Sequence, residues 1–478
     1  AEYLWGMILE GILMERAGGR GICIAHAPDG KTILVTGAAP GDIATIKVLR
    51  KKKKHLEAVI ERLEIPSPHR IQPTCSYAAH CGGCSWQHVA YPEQARFKDV
   101  EVQENLRRIG GVSCSDTRPI VPAPAPFRYR NKLEFSFSAS RWLTWDEIAS
   151  KVPIDTSHAL GFHVPGMWDK IMDIETCHLQ PEPSNAIKNF IRSYAVEHEL
   201  TFFHPREKHG LLRTLMLRCT LAGEWMVVIQ FYEEPEEAGL ALLTAVQQTF
   251  PEIVSLYYAY NPKPNDSLYD LDLQLFHGVS HLTEHMPSAV PGGRALSFRI
   301  GPKSFYQTNP EQAHRLYSEA LALADLKGGE TVYDLYTGTG TIALFMAQVA
   351  GKVVGIETVP EAIEAAKENA RANDITNAHF EVGDMRHAFS ESLWERYGKP
   401  DVLVTDPPRD GMHPKVVERL LSLDIPRIVY VSCNSATQAR DIALLSEAYE
   451  VHTVQAVDMF PQTHHVENIA LLTRKAHA

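Results

Sequence analysis

A regular alternation of strand-like and helix-length segments after about residue 327 constrains the fold of this chain more than any other feature. Strands that alternate with helical segments are typical of a doubly wound parallel sheet. The last two strand-like runs have only PQTHH between them, so we expect them to pair antiparallel, because parallel strands need a longer crossover. The runs, in order, are TVYDLY, KVVGIE, AHFEVGD, DVLVTD, RIVYVS, VHTVQAVDM and VENIALLTR.

The first 60 residues have a different pattern. Short β-rich runs alternate there with turn signals such as Asp29-Gly30 and Pro40-Gly41, which predicts a small β-barrel over residues 1–60. Its last strand runs into five consecutive basic residues, Arg50 to Lys54. Such a run is either the solvated end of an element or an arm that contacts phosphates, and the sequence leaves both interpretations open.

The middle of the chain mixes β-like runs and helical stretches, joined by Pro-rich connections. This pattern predicts a central α+β domain at residues 61–300, followed by the doubly wound domain at residues 301–478. A helix is expected at about residues 92–109, with one face packed against a core, in the catalytic domain or beside it. The apolar residues that define this face are Phe97, Val100, Leu106 and Ile109.

Length and composition agree with a multidomain α/β protein. The 478 residues are a soft prior for about three domains. Forty-seven basic and 58 acidic residues give a net charge of −11, which argues against a chain coated in positive charge but allows a local basic face. No apolar run approaches the ~18 residues of a membrane span, and the first residues do not resemble a secretory signal, so we expect a cytoplasmic protein without a membrane segment.

The first strand of the doubly wound domain ends in a glycine-containing loop, DLYTGTGT at Asp334–Thr341. Gly338 and Gly340 would let backbone amides approach a ligand at the start of the following helix. Glu357 ends the second strand, seventeen residues after Gly340, where a carboxylate can hold the two hydroxyls of a ribose. A dinucleotide fingerprint would have a third glycine where Ala343 stands, a change that it tolerates, so this loop alone leaves NAD and S-adenosylmethionine open.

Two further strand ends carry polar motifs. Gly383-Asp384 ends the third strand, and Asp406-Pro407-Pro408-Arg409 ends the fourth. Both belong to the carboxyl edge of the sheet, where ligands bind in folds of this kind. Asp-Pro-Pro at a strand end is common in methyltransferases that act on nucleic acids or amides, and the alternative is an ordinary turn out of the strand.

The fifth strand ends in Ser432-Cys433-Asn434, directly before a helical segment. The N-terminus of a helix lowers the pKa of a nearby thiol, which suits a nucleophile, so Cys433 is a catalytic candidate. The alternative is a small core residue, although a core cysteine would more naturally lie inside the strand. The motif His464-His465-Val466-Glu467-Asn468 places a carboxylate, Glu467, at the same edge of the sheet.

Three cysteines, Cys75, Cys81 and Cys84, lie within ten positions, with Gly82-Gly83 between the last two. In a reducing compartment such crowding indicates a metal site rather than disulfides. The spacing alone leaves iron–sulfur and zinc equally open, because both accept four thiolates and no fourth cysteine lies nearby.

Together, DLYTGTGT, DPPR, IVYVSCN, HVEN and the segment SFYQTN at Ser304–Asn309 resemble the RNA uracil-5-methyltransferases, and the resemblance covers essentially the whole chain. The cysteine spacing resembles the iron–sulfur branch of that family, which acts on 23S ribosomal RNA. The N-terminal barrel is similar to the OB-like TRAM module, which binds RNA. The resemblance implies a Rossmann-like S-adenosylmethionine-dependent methyltransferase domain at residues 301–478, with RNA as the partner and no obligate protein partner.

The resemblance also assigns roles to single residues. Cys433 matches the nucleophile that adds to C6 of uracil, and Glu467 matches the general base that removes the C5 proton after methylation. Arg409 stands where an RNA cytosine-5-methyltransferase would have a second cysteine, which favours uracil. The implied contacts of S-adenosylmethionine are Gln307, Tyr336, Gly338, Gly340, Thr341, Glu357, Asp384 and Asp406.

The same resemblance implies a [4Fe–4S] cluster with a structural or RNA-orienting role. Its ligands would be Cys75, Cys81, Cys84 and, from farther along the chain, Cys177. Cys219 falls outside the family pattern and is expected in the core.

Three alternative functions are kept open beside a 23S ribosomal RNA methyltransferase. A transfer-RNA uridine-5-methyltransferase is disfavoured by the cysteine loop and the N-terminal barrel. A catalytically silent iron–sulfur RNA-binding factor is disfavoured by Cys433 and Glu467. A radical S-adenosylmethionine enzyme would be expected to have C-x3-C-x2-C, whereas the spacing here is five and two.

Overall fold

The structure is a computed structural model that describes residues 6–112, 114–387 and 391–476. No helix in these residues is long and apolar enough to cross a membrane. Helices and strands of both parallel and antiparallel sheets are present, as expected for a multidomain α/β protein.

The chain divides into two compact units. The first unit contains the chain through Ala79, the segment Gly83–Pro126 and the residues from Pro407 on. The second unit contains His80–Gly82 and Phe127–Asp406. The domain boundaries near residues 60 and 300 stay predictions.

The N-terminal part of the first unit is a six-stranded sheet. Its strands are β1 (Ile8–Leu13), β2 (Arg16–Ala17), β3 (Cys23–His26), β4 (Thr32–Thr36), β5 (Ile43–Lys51) and β6 (His55–Ile65), with a 3-10 turn at Gly19–Gly21. The strand order is β1-β5-β6-β4-β3-β2, antiparallel except for the parallel pair β4 and β6. Alternating residues such as Ile33, Val35 and Ile46 are buried in one core. The basic run Arg50–Lys54 forms the exposed end of β5 and the turn into β6.

Helix α1 (Tyr91–Arg108) confirms the helix predicted at residues 92–109, and its Pro92 is typical of a first helical turn. The polar side chains of Gln94 and Lys98 occupy the buried face, with partners from a loop near the C-terminus. The predicted apolar face is therefore wrong in part: Phe97 and Leu106 are buried, whereas Val100 and Ile109 are 42% and 46% exposed. Strand β7 (Asp116–Val121) follows the helix.

The second unit begins with a mainly antiparallel seven-stranded sheet. Its strands are β8 (Lys132–Ser138), β9 (Ala159–His163), β10 (Ile171–Asp173), β11 (Leu212–Cys219), β12 (Trp225–Phe231), β13 (Ile253–Tyr260) and β14 (Gln274–Gly278). The order is β10-β9-β8-β11-β12-β13-β14, and only β12 and β13 pair parallel. The helices and the remaining hairpin of this region are α2 (Trp145–Ser150), α3 (Ser184–Glu197), α4 (Glu236–Thr249), β15 (Leu282–Met286) and β16 (Leu296–Ile300).

The same unit ends in four parallel strands with helices between them, which confirms the predicted doubly wound pattern. The elements are α5 (Pro310–Ala324), β17 (Thr331–Leu335), α6 (Thr341–Ala347), β18 (Lys352–Glu357), α7 (Pro360–Ala372), β19 (Ala378–Val382), α8 (Glu391–Tyr397) and β20 (Val402–Thr405), with a 3-10 turn at Met385–His387. The strand order is β19-β18-β17-β20. Parallel pairing brings the carboxyl ends of these strands to one edge, which is where the predicted cofactor motifs follow them.

The C-terminal part of the first unit completes the architecture. Its elements are α9 (Pro414–Ser422), β21 (Arg427–Ser432), α10 (Ser435–Leu445), β22 (Tyr449–Val457) and β23 (Glu467–Arg474). Strand β23 lies between β21 and β22 and pairs antiparallel with both, as predicted for the last two runs, while β7 pairs parallel with β22. Helix α1 packs against α10, and the Asn105 side chain donates a hydrogen bond to the Ser435 hydroxyl at 2.8 Å.

Candidate active site

The loop after β17 turns sharply through three residues with positive φ. Tyr336, Gly338 and Gly340 have φ values of 62°, 55° and 81°. A Cβ atom at Gly340 would lie 3.0 Å from the Cβ of Ala366 and from the Phe380 ring, so both conformation and space require glycine there. At Gly338 a Cβ would meet nothing within 4 Å. The loop is therefore fixed by packing at Gly340 and open at Gly338.

Glu357, the last residue of β18, holds this loop in place. Its Oε2 accepts a hydrogen bond from the backbone N–H of Gly338 at 3.2 Å. Its Oε1 accepts from the N–H groups of Thr358 and Val359 at 2.7 and 3.2 Å and from the Thr358 hydroxyl at 2.9 Å. Glu357, the residue predicted to bind the ribose, thus has a half-buried carboxylate at the carboxyl edge of the parallel strands, next to the glycine loop.

Two carboxyl groups lie at the ends of the neighbouring strands β17 and β20. Burial, together with the negative charges of Asp406 and Glu357, raises the pKa of Asp334 to about 7, although the Thr337 hydroxyl, which donates to Asp334 at 2.5 Å, opposes this rise. Burial also raises the pKa of Asp406 to about 7. Carboxyl groups that are poorly solvated and close to one another favour a cationic ligand, and S-adenosylmethionine has a sulfonium and an ammonium group. These residues therefore fit that cofactor.

The segment that contains Gln307 is held by its backbone. Asn131 donates from its side chain to the Gln307 carbonyl at 3.0 Å and from its N–H to the Thr308 carbonyl at 2.8 Å. The buried Arg218 guanidinium donates to the carbonyls of Gly301 and Ser304 at 3.2 and 3.0 Å. Sequence reasoning missed both supports, because their partners are distant backbone carbonyls that no motif marks.

The remaining predicted cofactor residues have local partners. Thr341 is the first residue of α6, and its hydroxyl lies 3.4 Å from the hydroxyl of Tyr317. Asp384 forms an ion pair with Arg386, whose Nε donates to Asp384 Oδ2 at 2.9 Å. Its assignment to the cofactor stays a prediction.

Cys433 lies between the end of β21 and the start of α10. It is half-buried, and the next residue, Asn434, caps the helix by accepting a hydrogen bond from the Ala436 N–H at 3.1 Å. The Asn434 amide and the Thr437 hydroxyl both donate to the Arg409 carbonyl at 3.0 Å, which ties the end of the Asp-Pro-Pro-Arg motif to this helix. Cys433 is thus at the N-terminus of an eleven-residue helix, where the partial positive charge stabilises a thiolate.

Cys433 and Glu467 lie at the same end of two paired strands. In the antiparallel pair β21 and β23, Ser432, the last residue of β21, stands opposite Asn468. Cys433 directly follows Ser432, and Glu467 directly precedes Asn468 as the first residue of β23. The register therefore brings the predicted nucleophile and the predicted base to one end of this strand pair. Glu467 is 5% exposed, so its carboxylate is buried there.

Two buried amide side chains fix this pair of elements. The Asn468 amide donates to the Gln438 side-chain oxygen at 2.7 Å, and the Gln438 amide donates to the carbonyl of Tyr430 at 2.8 Å. Both amides are fully buried, where loss of either partner would leave an unsatisfied polar group. They join α10, β21 and β23 directly beside Cys433 and Glu467.

The loop between β22 and β23, residues 458–466, is anchored by α1. Lys98 and Asp458 form a fully buried ion pair at 2.6 Å, and Lys98 also donates to the Phe460 carbonyl at 3.0 Å. Gln94 donates from its amide to the Gln462 side-chain oxygen at 3.0 Å and accepts from the Gln462 N–H at 2.9 Å. Because this loop leads directly into Glu467, the first residue of β23, its contacts with α1 help to position that residue.

The chain segment just after Cys84 supports the same loop. The N–H groups of Ser85 and Trp86 donate to the Gln462 carbonyl at 2.9 and 3.0 Å. Arg409 donates to the His465 ring, with its Nη2 2.8 Å from Nδ1. This contact of Arg409 with the loop before Glu467 was not predicted from its motif.

Within the described residues, the four predicted cluster cysteines take part in no disulfide bond. Cys177 is buried, and its backbone is held by the Asn185 side chain in two hydrogen bonds of 2.8 and 3.1 Å. The Cys75 N–H donates to the Gln87 side chain at 3.1 Å, and burial raises the pKa of the Cys75 thiol. Within the described residues, no group of three or more His, Cys, Asp and Glu side chains is suited to holding a metal ion. The predicted [4Fe–4S] cluster therefore has no support from this arrangement.

Cys219, in contrast, is confirmed as a core residue. It is 3% exposed, and burial raises the pKa of its thiol to about 12. A thiol in this state is not a nucleophile at neutral pH.

Comparisons with known proteins add independent evidence about the family of this chain. A family model described as tRNA (Uracil-5-)-methyltransferase matches residues 280–475. An uncharacterized RNA methyltransferase of Bacteroides thetaiotaomicron is 48% identical over 443 residues, which are 92% of this chain and 96% of the relative. The chain belongs to the RNA uracil-5-methyltransferase family.

Two further similarities span nearly the full length of this RNA uracil-5-methyltransferase. An uncharacterized RNA methyltransferase of Chlorobaculum tepidum is 38% identical over 481 residues, 99% of this chain and 98% of the relative. The crystal structure of a Pyrococcus abyssi tRNA (uracil-54, C5)-methyltransferase in complex with S-adenosyl-L-homocysteine has a TM-score of 0.73 and 28% identity, and covers 97% of this chain and 99% of that chain. The chain is thus an S-adenosylmethionine-dependent enzyme with an RNA substrate, which excludes the NAD alternative.

Proposed function

We propose that this enzyme methylates C5 of a uridine in 23S ribosomal RNA, through a covalent bond between Cys433 and C6 of the base. The observation that supports the covalent route is the register of β21 and β23, in which Ser432 pairs with Asn468, so that Cys433 and the buried Glu467 lie at one end of this strand pair. A thiol and a carboxylate placed in this way can act in turn on the two adjacent ring carbons of one uracil.

The chemistry needs both residues because C5 of uracil is a weak nucleophile. The Cys433 thiolate forms a bond to C6, and the electron pair of the C5–C6 double bond moves to give an enolate that is nucleophilic at C5. S-adenosylmethionine supplies an electrophilic methyl group. Glu467 then takes the C5 proton, the electrons of the C5–H bond restore the double bond, and the Cys433 thiolate leaves.

The cofactor would be held by the second unit. Gly338 offers open backbone beside the Glu357 carboxylate, which suits the ribose, and Asp334 with Asp406 suits the cationic methionine end. Asp334 was not expected as a contact from the sequence. The contacts that rest on the family resemblance are Gln307, Tyr336, Gly340, Thr341, Asp384 and Asp406.

The identity of the RNA rests on different evidence from the chemistry. The family resemblance of the cysteine loop and the N-terminal barrel favours 23S ribosomal RNA, in the cytoplasm. Transfer RNA is the second candidate, because a structure similar over nearly the whole chain is a tRNA (uracil-54, C5)-methyltransferase.

Mapping of 5-methyluridine in ribosomal and transfer RNA, from cells with and without the gene, tests the proposal. Loss of a modified uridine from 23S ribosomal RNA alone is expected. Loss from transfer RNA alone would favour the second candidate, and an unchanged map in both would contradict the proposal.

The [4Fe–4S] cluster is part of the proposal because the spacing of Cys75, Cys81 and Cys84 resembles that of the iron–sulfur branch of the family. Anaerobically purified protein should then contain about four iron atoms with matching sulfide. The Cys177→Ala variant should lose this iron, whereas Cys219→Ala, a control in the core, should keep it. Stoichiometric zinc, or the absence of iron from the wild-type protein, would remove the cluster from the account.

A further inference from the structure

A concave site of about 450 Å³ lies on the seven-stranded sheet of the second unit. It is lined by residues of β8 and β11, by Phe203, Pro205 and Lys208, by residues 262–266 and by Trp168. None of the residues assigned above to methyl transfer lines it. Its volume is in the range of sites that bind small organic groups, about 300–1,000 Å³.

Aromatic rings form one wall of this cavity in a fixed arrangement. The rings of Phe203 and Tyr232 have centres 4.5 Å apart, and the Arg213 guanidinium lies 4.9 and 5.4 Å from the two centres. Arg213 is 4% exposed and donates to the carbonyls of Asn261 and Lys263 at 2.6 and 2.7 Å. Because the buried cation is held on both sides, the rings above it form a rigid stacking surface.

Trp168 lines the same cavity with 66% of its surface exposed to solvent. An indole is one of the largest apolar surfaces a side chain offers, and its exposure in a cavity wall is typical of contact with a ligand. Exposed aromatic rings in RNA-binding proteins stack on unpaired bases.

The charges around the cavity suit an anionic group. Lys208, Arg213 and Lys263 line it, against two acidic residues, Asp169 and Asp266. Asp169 is paired with Arg206 at 2.6 Å, and Lys263 is paired with Asp270, so these charges are balanced within the protein. The exposed Lys208 then offers a cation at the cavity rim that a phosphate can approach.

We propose that this cavity binds an unpaired nucleotide of the RNA substrate, separate from the uridine that is methylated. Its base would stack on the wall formed by Trp168, Phe203 and Tyr232, and its phosphate would lie against Lys208. The hydroxyl groups of Ser136, Ser138 and Thr214, which also line the cavity, offer hydrogen-bond partners to base edges. This inference takes from the proposed function only that the partner is RNA.

Binding of fluorescent twelve-nucleotide oligoadenosine and oligouridine to the full-length protein tests the proposal. Trp168→Ala should weaken binding about tenfold, as stacking contacts in single-strand sites do. The matched control is Tyr269→Ala, an aromatic residue that is 70% exposed outside the cavity, and its affinity should stay within about twofold of the wild type.

The charge of the cavity is tested separately. Lys208→Gln should weaken binding and reduce its dependence on salt, because a phosphate contact is lost. Lys151→Gln is the matched control, since Lys151 is also exposed and has a φ of 54°, close to the 56° of Lys208, but does not line the cavity.

Ultraviolet crosslinking of the wild-type protein to the same oligonucleotides gives an independent readout. Crosslinked peptides that contain Trp168 or Phe203 are expected. Wild-type affinity in folded Trp168→Ala, or crosslinks confined to other segments, would overturn the proposal. Methyl transfer at saturating RNA should persist in Trp168→Ala. A wild-type enzyme that binds the oligonucleotides but leaves uridine unmodified would count against the proposed function and not against this site.

Discussion

Among single residues, three carboxyl groups at the proposed cofactor site, those of Asp334, Asp406 and Glu357, have different surroundings. Asp334 and Asp406 are desolvated and close to one another, and their pKa values are raised to about 7. Glu357 instead accepts four hydrogen bonds from the glycine loop and the start of the next segment. Asp334 and Asp406 can therefore change charge near neutral pH, whereas Glu357 holds the glycine loop through its hydrogen bonds.

The raised pKa values predict that the affinity for S-adenosylmethionine increases with pH. Ionised Asp334 and Asp406 attract the cationic cofactor, so affinity should rise up to about tenfold between pH 6 and pH 8. Calorimetric titration at several pH values measures this. Asp334→Asn should bind more weakly and with a flatter pH dependence, and a pH-independent affinity of the wild-type enzyme would contradict the assignment.

Asp334 and Asp406 should also make the stability of the cofactor-free protein depend on pH. Stability should fall as pH rises, whereas the affinity for the cofactor should increase. Because the native state holds these protons more tightly than the unfolded chain, whose carboxyl pKa is about 3.9, the free energy of unfolding should fall as pH rises from about 4 to about 7. Asp334→Asn should weaken this dependence. Denaturant unfolding of cofactor-free protein at pH 5 and pH 7 is the measurement, and a rise in stability over this interval attributable to Asp334 would contradict it.

At the scale of elements, the position of Glu467 depends on α1 as well as on its own strand. The buried pair of Lys98 and Asp458, with the reciprocal amides Gln94 and Gln462, joins this helix to the loop before β23. Burial lowers the pKa of Lys98, and the nearby Asp458 opposes that effect. Removal of one partner would therefore leave an uncompensated buried group.

Lys98→Met is expected to lower the free energy of unfolding by about 3–5 kcal/mol, because Asp458 would stay buried without its cation. Methyl transfer should fall as well, since the loop before Glu467 loses its anchor. The control is Arg107→Met on the same helix, which removes an exposed ion pair with Glu104 and should leave the free energy of unfolding nearly unchanged. Equal effects of the two substitutions in denaturant titrations would show that the buried pair does not support the loop.

The elements also show what the sequence could predict. The doubly wound pattern, the helix near residues 92–109 and the antiparallel end strands follow from periodicity and connection length, which are local. The inward positions of Gln94 and Lys98 do not, because their partners lie more than 350 residues away in the chain. The pairing of Ser432 with Asn468, which brings Cys433 and Glu467 to one end of the same strand pair, was likewise beyond the motifs, which indicated only that both lie at one sheet edge.

At the scale of the whole molecule, an acidic chain must bind a polyanion. Because the net charge is −11, RNA binding should depend on where the basic residues are concentrated on the surface. The run Arg50–Lys54 is exposed at the turn between β5 and β6, where Lys51 to Lys54 can reach phosphate, while Arg50 also forms an ion pair with Glu57 at 4.0 Å. Phosphate contacts of this kind supply affinity without reading sequence.

Replacement of Lys51 to Lys54 by Gln should therefore weaken RNA binding and reduce the slope of log affinity against log salt by up to about 3, as expected for four lost phosphate contacts with single-stranded RNA. The same uridine should still be methylated at high enzyme concentration. A control with the exposed Lys327 and Lys399 changed to Gln should leave the slope nearly unchanged. Methylation of a different uridine would show that the run selects the site.

The central claim is that Cys433 and Glu467 act in succession on one uracil, and the fate of the RNA in Glu467→Gln tests it most directly. Cys433 should still add to C6 and the methyl group should still be transferred, but without a base the C5 proton stays and the thiolate cannot leave. Methylated RNA should then remain attached to the protein and migrate slowly on a denaturing gel, and Cys433→Ala in the same background should abolish the attached species. An inactive Glu467→Gln enzyme without attached RNA would contradict the claim, because it would place Glu467 before the covalent chemistry.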